Sequence, residues 1–163
     1  MRLLFLLIIL SNLAMSKKTG LSSSSLQTFA GQELKVRDIL GDGGSLLHFW
    51  APWCHSCSGV LWDLDPIIRK NPHIKFLSIN IGEDYEKGKA YMRKHKLYET
   101  YRDSFFNGPR ESFLAHLGVD SVPTVIVLRP DGSVALSIKS HLNAESKYQI
   151  LTKLKAMKPK ETT

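Results

Sequence analysis

The stretch FWAPWCHSC, residues 49–57, holds the only two cysteines of the chain, Cys54 and Cys57, separated by two residues. Such a pair can be a metal clip, a structural staple or a redox couple. The chain has 163 residues, of which 43% are hydrophobic and 23% charged. That composition and length suit one globular domain with a short processed segment, whose core needs no disulfide to hold it. A purely stabilising role is therefore not expected.

The first residues bear on the compartment. Arg2 is followed by eight apolar residues, Leu3 to Leu10, then by the small residues Ala14 and Ser16 and by Lys17-Lys18. Charge, apolar run and small-x-small is the order of a secretory signal, with a cut after Ser16. A membrane span needs ~18 or more apolar residues, and Ser11 and Asn12 interrupt this run. An uncleaved anchor is the alternative, and lipid attachment at a cysteine is not expected. Export, here to the periplasm, means an oxidising space, where a thiol pair needs a reason to exist.

The net charge is +7, and loss of residues 1–16 would leave +6, since Arg2 is the only charge there. The positive charge is scattered, with clusters only at 93–95 and 153–160. A solvated basic surface is expected, not a nucleic-acid site. The chain is read as a monomer with no cofactor and no metal.

The pattern divides the chain into a signal (1–16), a Ser-rich linker (17–25), one domain (26–157) and a flexible tail (158–163). Within the domain, SLLHFW (45–50) follows the turn signal GDGG and reads as a buried strand. Residues 54–70 suit a helix with Val60, Leu61, Leu64, Ile67 and Ile68 on one side, kinked at Pro66. A strand is expected at 73–81, a helix at 83–97 and a short helix at 111–118 stopped by Gly118. Residues 123–129 and 133–139 read as two strands of a hairpin around PDG. A last helix spans 143–157, with Asn143 as its cap. Strands alternating with helices imply an α/β sandwich around a central sheet. A CxxC at the first helix of such a unit is the redox arrangement.

On these residues the chain resembles the thioredoxin family. FWAPWCHSC is similar to its active-site motif, and VDSVPT (119–124) to the loop carrying its cis-proline. Residues 26–54 and the strand and helix FLSINIGEDYEKGKAYMRKHKL resemble the exported TlpA/ResA/CcmG (DsbE) branch, whose first core strand follows a short hairpin. The resemblance covers roughly residues 26–157 and implies a thioredoxin-like three-layer sandwich, a central mixed β-sheet flanked by helices. Three departures stand out. His48 takes the place of the usual acid or asparagine, Ser56 the place of a frequent proline, and Trp62 the place of a helix proline.

The thiolate is the attacking species, and a helix N-terminus favours it. Cys54, with His55 beside it, is read as the nucleophile, and Cys57, one turn on and more buried, as the resolving cysteine. The resemblance makes His48 the base for Cys57, with a satisfied core histidine as the alternative. It also makes Pro123 cis and gives Val122 a strand-like contact with an extended substrate. Trp53, beside Cys54, is expected to line the substrate groove, with His55 nearby. His73, His95, His116 and His141 are read as surface residues.

The expected activity is reduction of protein disulfides, with electrons from a membrane thiol transporter. The resemblance suggests apocytochrome c thiols or a partner disulfide protein as substrate. Two rivals stay open. CHSC lacks the proline of many reductases, which leaves room for an oxidase or isomerase. A copper(I) carrier built on Cys54, Cys57 and a histidine is the other. Finally, residues 98–112 are longer and more aromatic than a simple connection needs. They are expected near the active site, with Phe105 and Phe106 shaping partner choice.

Overall fold

A computed structural model describes residues 21, 24–109 and 111–157, with the side chain of residue 98 left aside. The expected signal, the tail and most of the expected linker lie outside them. The hydrophobic pattern of SLLHFW becomes strand β3 (Ser45–Trp50), and all six of its residues are buried. A strand buried on both faces must lie at the centre of its sheet. Accordingly β3 pairs in parallel with β4 (Lys75–Asn80) and antiparallel with β6 (Thr124–Leu128). The turn before it is tight. Gly44 has φ +99°, and a Cβ there would stand 2.8 Å from the Leu128 carbonyl oxygen, so only glycine fits.

Among the described residues the sheet has seven strands, in the order β2 (Glu33–Lys35), β1 (Ser25–Thr28), β5 (Phe105–Asn107), β4, β3, β6 and β7 (Val134–Ile138). Strands β1 and β2 form an antiparallel hairpin at one edge. Strand β7 closes the hairpin with β6 at the other edge. Helix α1 is Val36–Ile39, α2 is Cys57–Lys70, α3 is Tyr85–Lys94 and α4 is Tyr98–Tyr101. Helix α5 is Glu111–Leu117 and α6 is Ala144–Lys155.

The alternation of each strand sorts the core into two layers. Leu46, Trp50, Phe76, Phe105, Val125 and Val127 face α2, α3 and α6. Leu47, Phe49, Leu77, Ile79, Ile126 and Leu128 face α1 and α5. The chain is thus a mixed sheet between two layers of helix, the thioredoxin-like sandwich. Asn143 caps α6 by accepting from the Ser146 amide, and Gly118 ends α5 at φ +67°.

Three expectations change. The ordered unit begins before residue 26, because Ser25 opens β1 and Leu21 is buried in the second core layer. Helix α2 starts at Cys57, not Cys54, since residues 51–56 turn back on themselves, with the Cys54 amide bonded to the Ala51 carbonyl. Residues 98–112 are not a loop. They form α4, a 3₁₀ turn at Arg102–Ser104 and strand β5 (Phe105–Asn107), which fills the sheet between β1 and β4. Phe105 and Phe106 are buried on opposite faces of that strand. Phe105 meets Phe29 edge-on and Trp50 at a tilt, so both phenylalanines are core.

Candidate active site

In open sheets of this type, chemistry gathers beyond the carboxyl ends of the parallel strands. Strand β3 ends at Trp50 and runs straight into the CxxC turn. Cys54 and Cys57 are joined as a disulfide with S–S 2.01 Å. Cys57 is the first residue of α2 and has no exposed surface, whereas Cys54 keeps 6%. The Cys57 amide donates to the Cys54 carbonyl at 3.3 Å. The positive end of α2 therefore lies beside both sulfurs.

Ser56 is the N-cap residue of α2, but its side chain makes no cap bond. Its hydroxyl instead lies 3.7 Å from the Cys54 sulfur. A proline at this place would have no donor to offer. His55 is exposed.

The second piece of the site comes from the antiparallel pairing of β3 with β6. Phe49 stands opposite Thr124, which brings the residues just before β6 next to the end of β3. Those residues are Val122 and Pro123, and their peptide bond is cis. Val122 packs against both core layers. Thr124 fastens the loop by donating its hydroxyl to the Ser121 carbonyl at 2.7 Å.

The third piece is the loop after β4. Pro52, Trp53, Ile81, Gly82, Glu83, Asp84 and Lys87 line an open groove beside the disulfide. Trp53 is 66% exposed there, a large cost for a tryptophan with no partner to cover it. Trp50, by contrast, is core. The groove floor is fixed, because Gly82 donates its amide to the Asn80 side chain at 2.9 Å.

His48 sits in the middle of β3, between Ser78 and Val125. Strand alternation puts it with Leu46 and Trp50, on the side of α2 and Cys57. It is 1% exposed, and neither ring nitrogen has a hydrogen-bond partner among the described residues. Burial alone pushes its pKa down to about 3, so the ring is neutral at ordinary pH. The structure thus brings Cys54, Cys57, Trp53, His55, Val122 and Pro123 to one end of the sheet and leaves His48 beneath them.

One residue escaped the sequence reading. The Tyr91 hydroxyl donates to the Cys54 carbonyl at 3.2 Å and accepts from the Ser58 amide at 3.1 Å. A tyrosine on the apolar side of α3 reads as ordinary core, and no sequence signal separates the two roles. His95 also departs from expectation. It is half-buried, with its ring 4.3 Å from that of Tyr91. Among the described residues no cluster of three His, Cys, Asp or Glu side chains is placed to hold a metal ion. None of the described helices is long and apolar enough to cross a membrane.

Comparison with known proteins agrees with this geometry. A family described as thioredoxin-like matches residues 45–134. No curated protein matches the chain. Among solved structures, the fold is similar to a secreted Mycobacterium tuberculosis disulfide oxidoreductase homologous to E. coli DsbE. The identity is 20% and the TM-score 0.65, with 85% of this chain and 98% of that one covered. StoA from Bacillus subtilis is 16% identical with TM-score 0.61, over 82% of this chain and 98% of that one. The exposed lipoprotein thioredoxin of Streptococcus pneumoniae is 23% identical with TM-score 0.58, over 79% and 97%.

Proposed function

The chain belongs to the thioredoxin-like family, and from that premise we propose that it is an exported protein-disulfide reductase of the TlpA/ResA/CcmG type. The observation that carries this reading is the asymmetry of the CxxC pair. Cys54 keeps 6% of its surface, beside an exposed tryptophan, and Cys57 keeps none. A substrate sulfur has access to one cysteine only.

In the reduced state the Cys54 thiolate attacks one sulfur of a substrate disulfide. The other substrate sulfur leaves as a thiolate, and a mixed disulfide forms on Cys54. Cys57 then attacks the Cys54 sulfur, which returns the pair to the disulfide and releases the substrate as a dithiol. The cis-proline loop presents the Val122 backbone to an extended substrate segment, while Trp53 and His55 flank it. His48 takes up the Cys57 proton in the second step. Burial leaves the ring a weak base, with a pKa of about 3, so its effect on this step lies at the lower end of general-base catalysis or below. Electrons return from a membrane thiol donor. Apocytochrome c and partner disulfide proteins are the substrates the branch suggests. The secreted and surface-exposed neighbours support export.

A second reading has its own observation. The Ser56 hydroxyl near the Cys54 sulfur and the exposed His55 both favour the thiolate. A stabilised reduced form makes a disulfide more oxidising, as an oxidase or isomerase requires. Equilibration with glutathione measures the reduction potential and decides. A value near that of thioredoxin, about −270 mV, supports the reductase, and a value near about −120 mV supports the oxidase.

A further inference from the structure

The Tyr91 hydroxyl joins two peptide groups, one just after each cysteine of the disulfide. It donates to the carbonyl of Cys54 at 3.2 Å and accepts from the amide of Ser58 at 3.1 Å. Ser58 is the second residue of α2, so its amide is one of the four that a helix start leaves without an internal partner. Its own hydroxyl is not used for the purpose. The bond comes instead from a different helix, thirty-three residues away in the chain.

Several features hold the phenol there. Its ring stacks on Trp50 at 4.9 Å between centroids, with 27° between the planes. The ring of His95, the residue that caps α3 at its C-terminal end, lies 4.3 Å from it. Helix α3 sits close to the sheet because Gly88 lies against Asn80, and a Cβ at that position would stand 2.6 Å from the Asn80 side-chain nitrogen. The helix start is set by Asp84, which accepts from the Lys87 amide. Gly88 and Tyr91 on α3, with His95 at its C-terminal cap, thus fix the hydroxyl against the CxxC turn.

We propose that Tyr91 is a positioning residue for thiol–disulfide exchange, whose hydroxyl clamps the CxxC turn in its disulfide-bonded form and thereby sets the redox equilibrium of the pair. This rests on the thiol–disulfide reading above. The clamp is made with the disulfide closed, and closing it draws Cys54 towards the start of α2. Once the pair is reduced, the side-chain link between Cys54 and Cys57 is gone, and the short backbone turn with its bond from the Cys57 amide to the Cys54 carbonyl is left to hold the segment. The spacing that lets one oxygen serve both groups is then held less firmly. Tyr91 favours the oxidised form by the difference.

The test is Tyr91→Phe, which keeps the stack on Trp50 and removes only the hydroxyl. Wild type and variant are equilibrated with glutathione mixtures, and the dithiol fraction is read by acid quench and alkylation. Loss of a net hydrogen-bond contribution predicts a shift of about 2- to 10-fold towards the dithiol form. Amide exchange at Ser58, followed by NMR in the oxidised protein, should quicken in the variant. Equilibrium constants that overlay, or a shift towards the disulfide, overturn the proposal, as does unchanged exchange at Ser58. A wild type that fails to equilibrate with glutathione at all overturns the thiol–disulfide reading instead.

Discussion

Asn80 donates its side-chain amide to the side-chain oxygen of Asn107 at 2.5 Å, and both residues are buried where β4 and β5 run in register. The Asn80 oxygen is used as well, by the Gly82 amide at the groove. One residue therefore ties a sheet strand to the wall of the active site. Asn107→Leu keeps the volume but leaves a buried amide without its acceptor. It should lower stability by about 1–3 kcal/mol, read from the denaturant midpoint. A loss well below that range would mean that the Asn80 amide finds another partner.

Cys54→Ser should abolish disulfide reduction. Cys57→Ser should instead accumulate a mixed disulfide between Cys54 and the substrate, visible on a non-reducing gel. The burial of Cys57 fixes this order. An adduct that appears with the Cys54 variant and not with the Cys57 variant would reverse the two roles.

Ser56→Ala removes the hydroxyl near the Cys54 sulfur. The Cys54 thiolate should lose a donor and its pKa should rise, measured from the ultraviolet absorbance of the thiolate against pH. The rate of attack on a small disulfide at pH 7 should fall by about 2- to 10-fold, the worth of one hydrogen bond. An unchanged titration would show that the hydroxyl points elsewhere in the reduced state.

His48 makes a prediction about acid. Its folded pKa is depressed to about 3 from an ordinary 6.5, so the unfolded chain binds this proton first as pH falls. The stability tied to its neutral form is complete above about pH 6.5 and is lost progressively down to about pH 3. Melting temperatures of wild type and His48→Asn should converge or cross over that window. If His48 also receives the Cys57 proton, the same variant should slow release of the mixed disulfide by about 10- to 100-fold and leave the first attack nearly intact. Parallel melting curves across the window would show that burial of this ring carries no acid penalty.

Phe105→Ala should cost about 3–5 kcal/mol of stability, as for a large aromatic removed from a packed core. Losses of activity toward a protein substrate and a small disulfide should then be equal. A selective loss on the protein substrate would show that β5 shapes partner choice.

Most of the sheet was legible because its strands carry strong signals. The six apolar or half-apolar residues of β3 and the alternation of β4 each exceed what a loop would show. Helix α2 was plain in its apolar spacing, α3 in its order of acids before bases, and α6 in its Asn143 cap. The miss at β5 has a physical cause. Three residues, Phe105 to Asn107, are too short to display a period, and Gly108 and Pro109 come directly after them. Only the pairing with Gln27 and Thr28 on one side and Ser78 to Asn80 on the other makes them a strand. The start of α2 was misplaced because Cys54 to Ser56 look as helical as the residues from Cys57 onward. Their backbone instead closes a turn onto Ala51. The CxxC and Val122-Pro123 were visible as motifs, whereas Tyr91 was not, since its role depends on a contact across two helices.

The strand order has a consequence for how the chain acquires its shape. Hairpin β1–β2 is made first, yet its sheet neighbour is β5. Gln27 meets Asn107, eighty residues later in the chain (107 less 27). A two-stranded hairpin alone is marginal in water. During synthesis from the N-terminus, residues 25–35 must therefore wait, with one hydrogen-bonding edge bare, until most of the domain has emerged. Closing that long loop is an entropic burden that slows folding. Until then Leu26 is not sealed into the core, and a bare edge is what a holding chaperone binds.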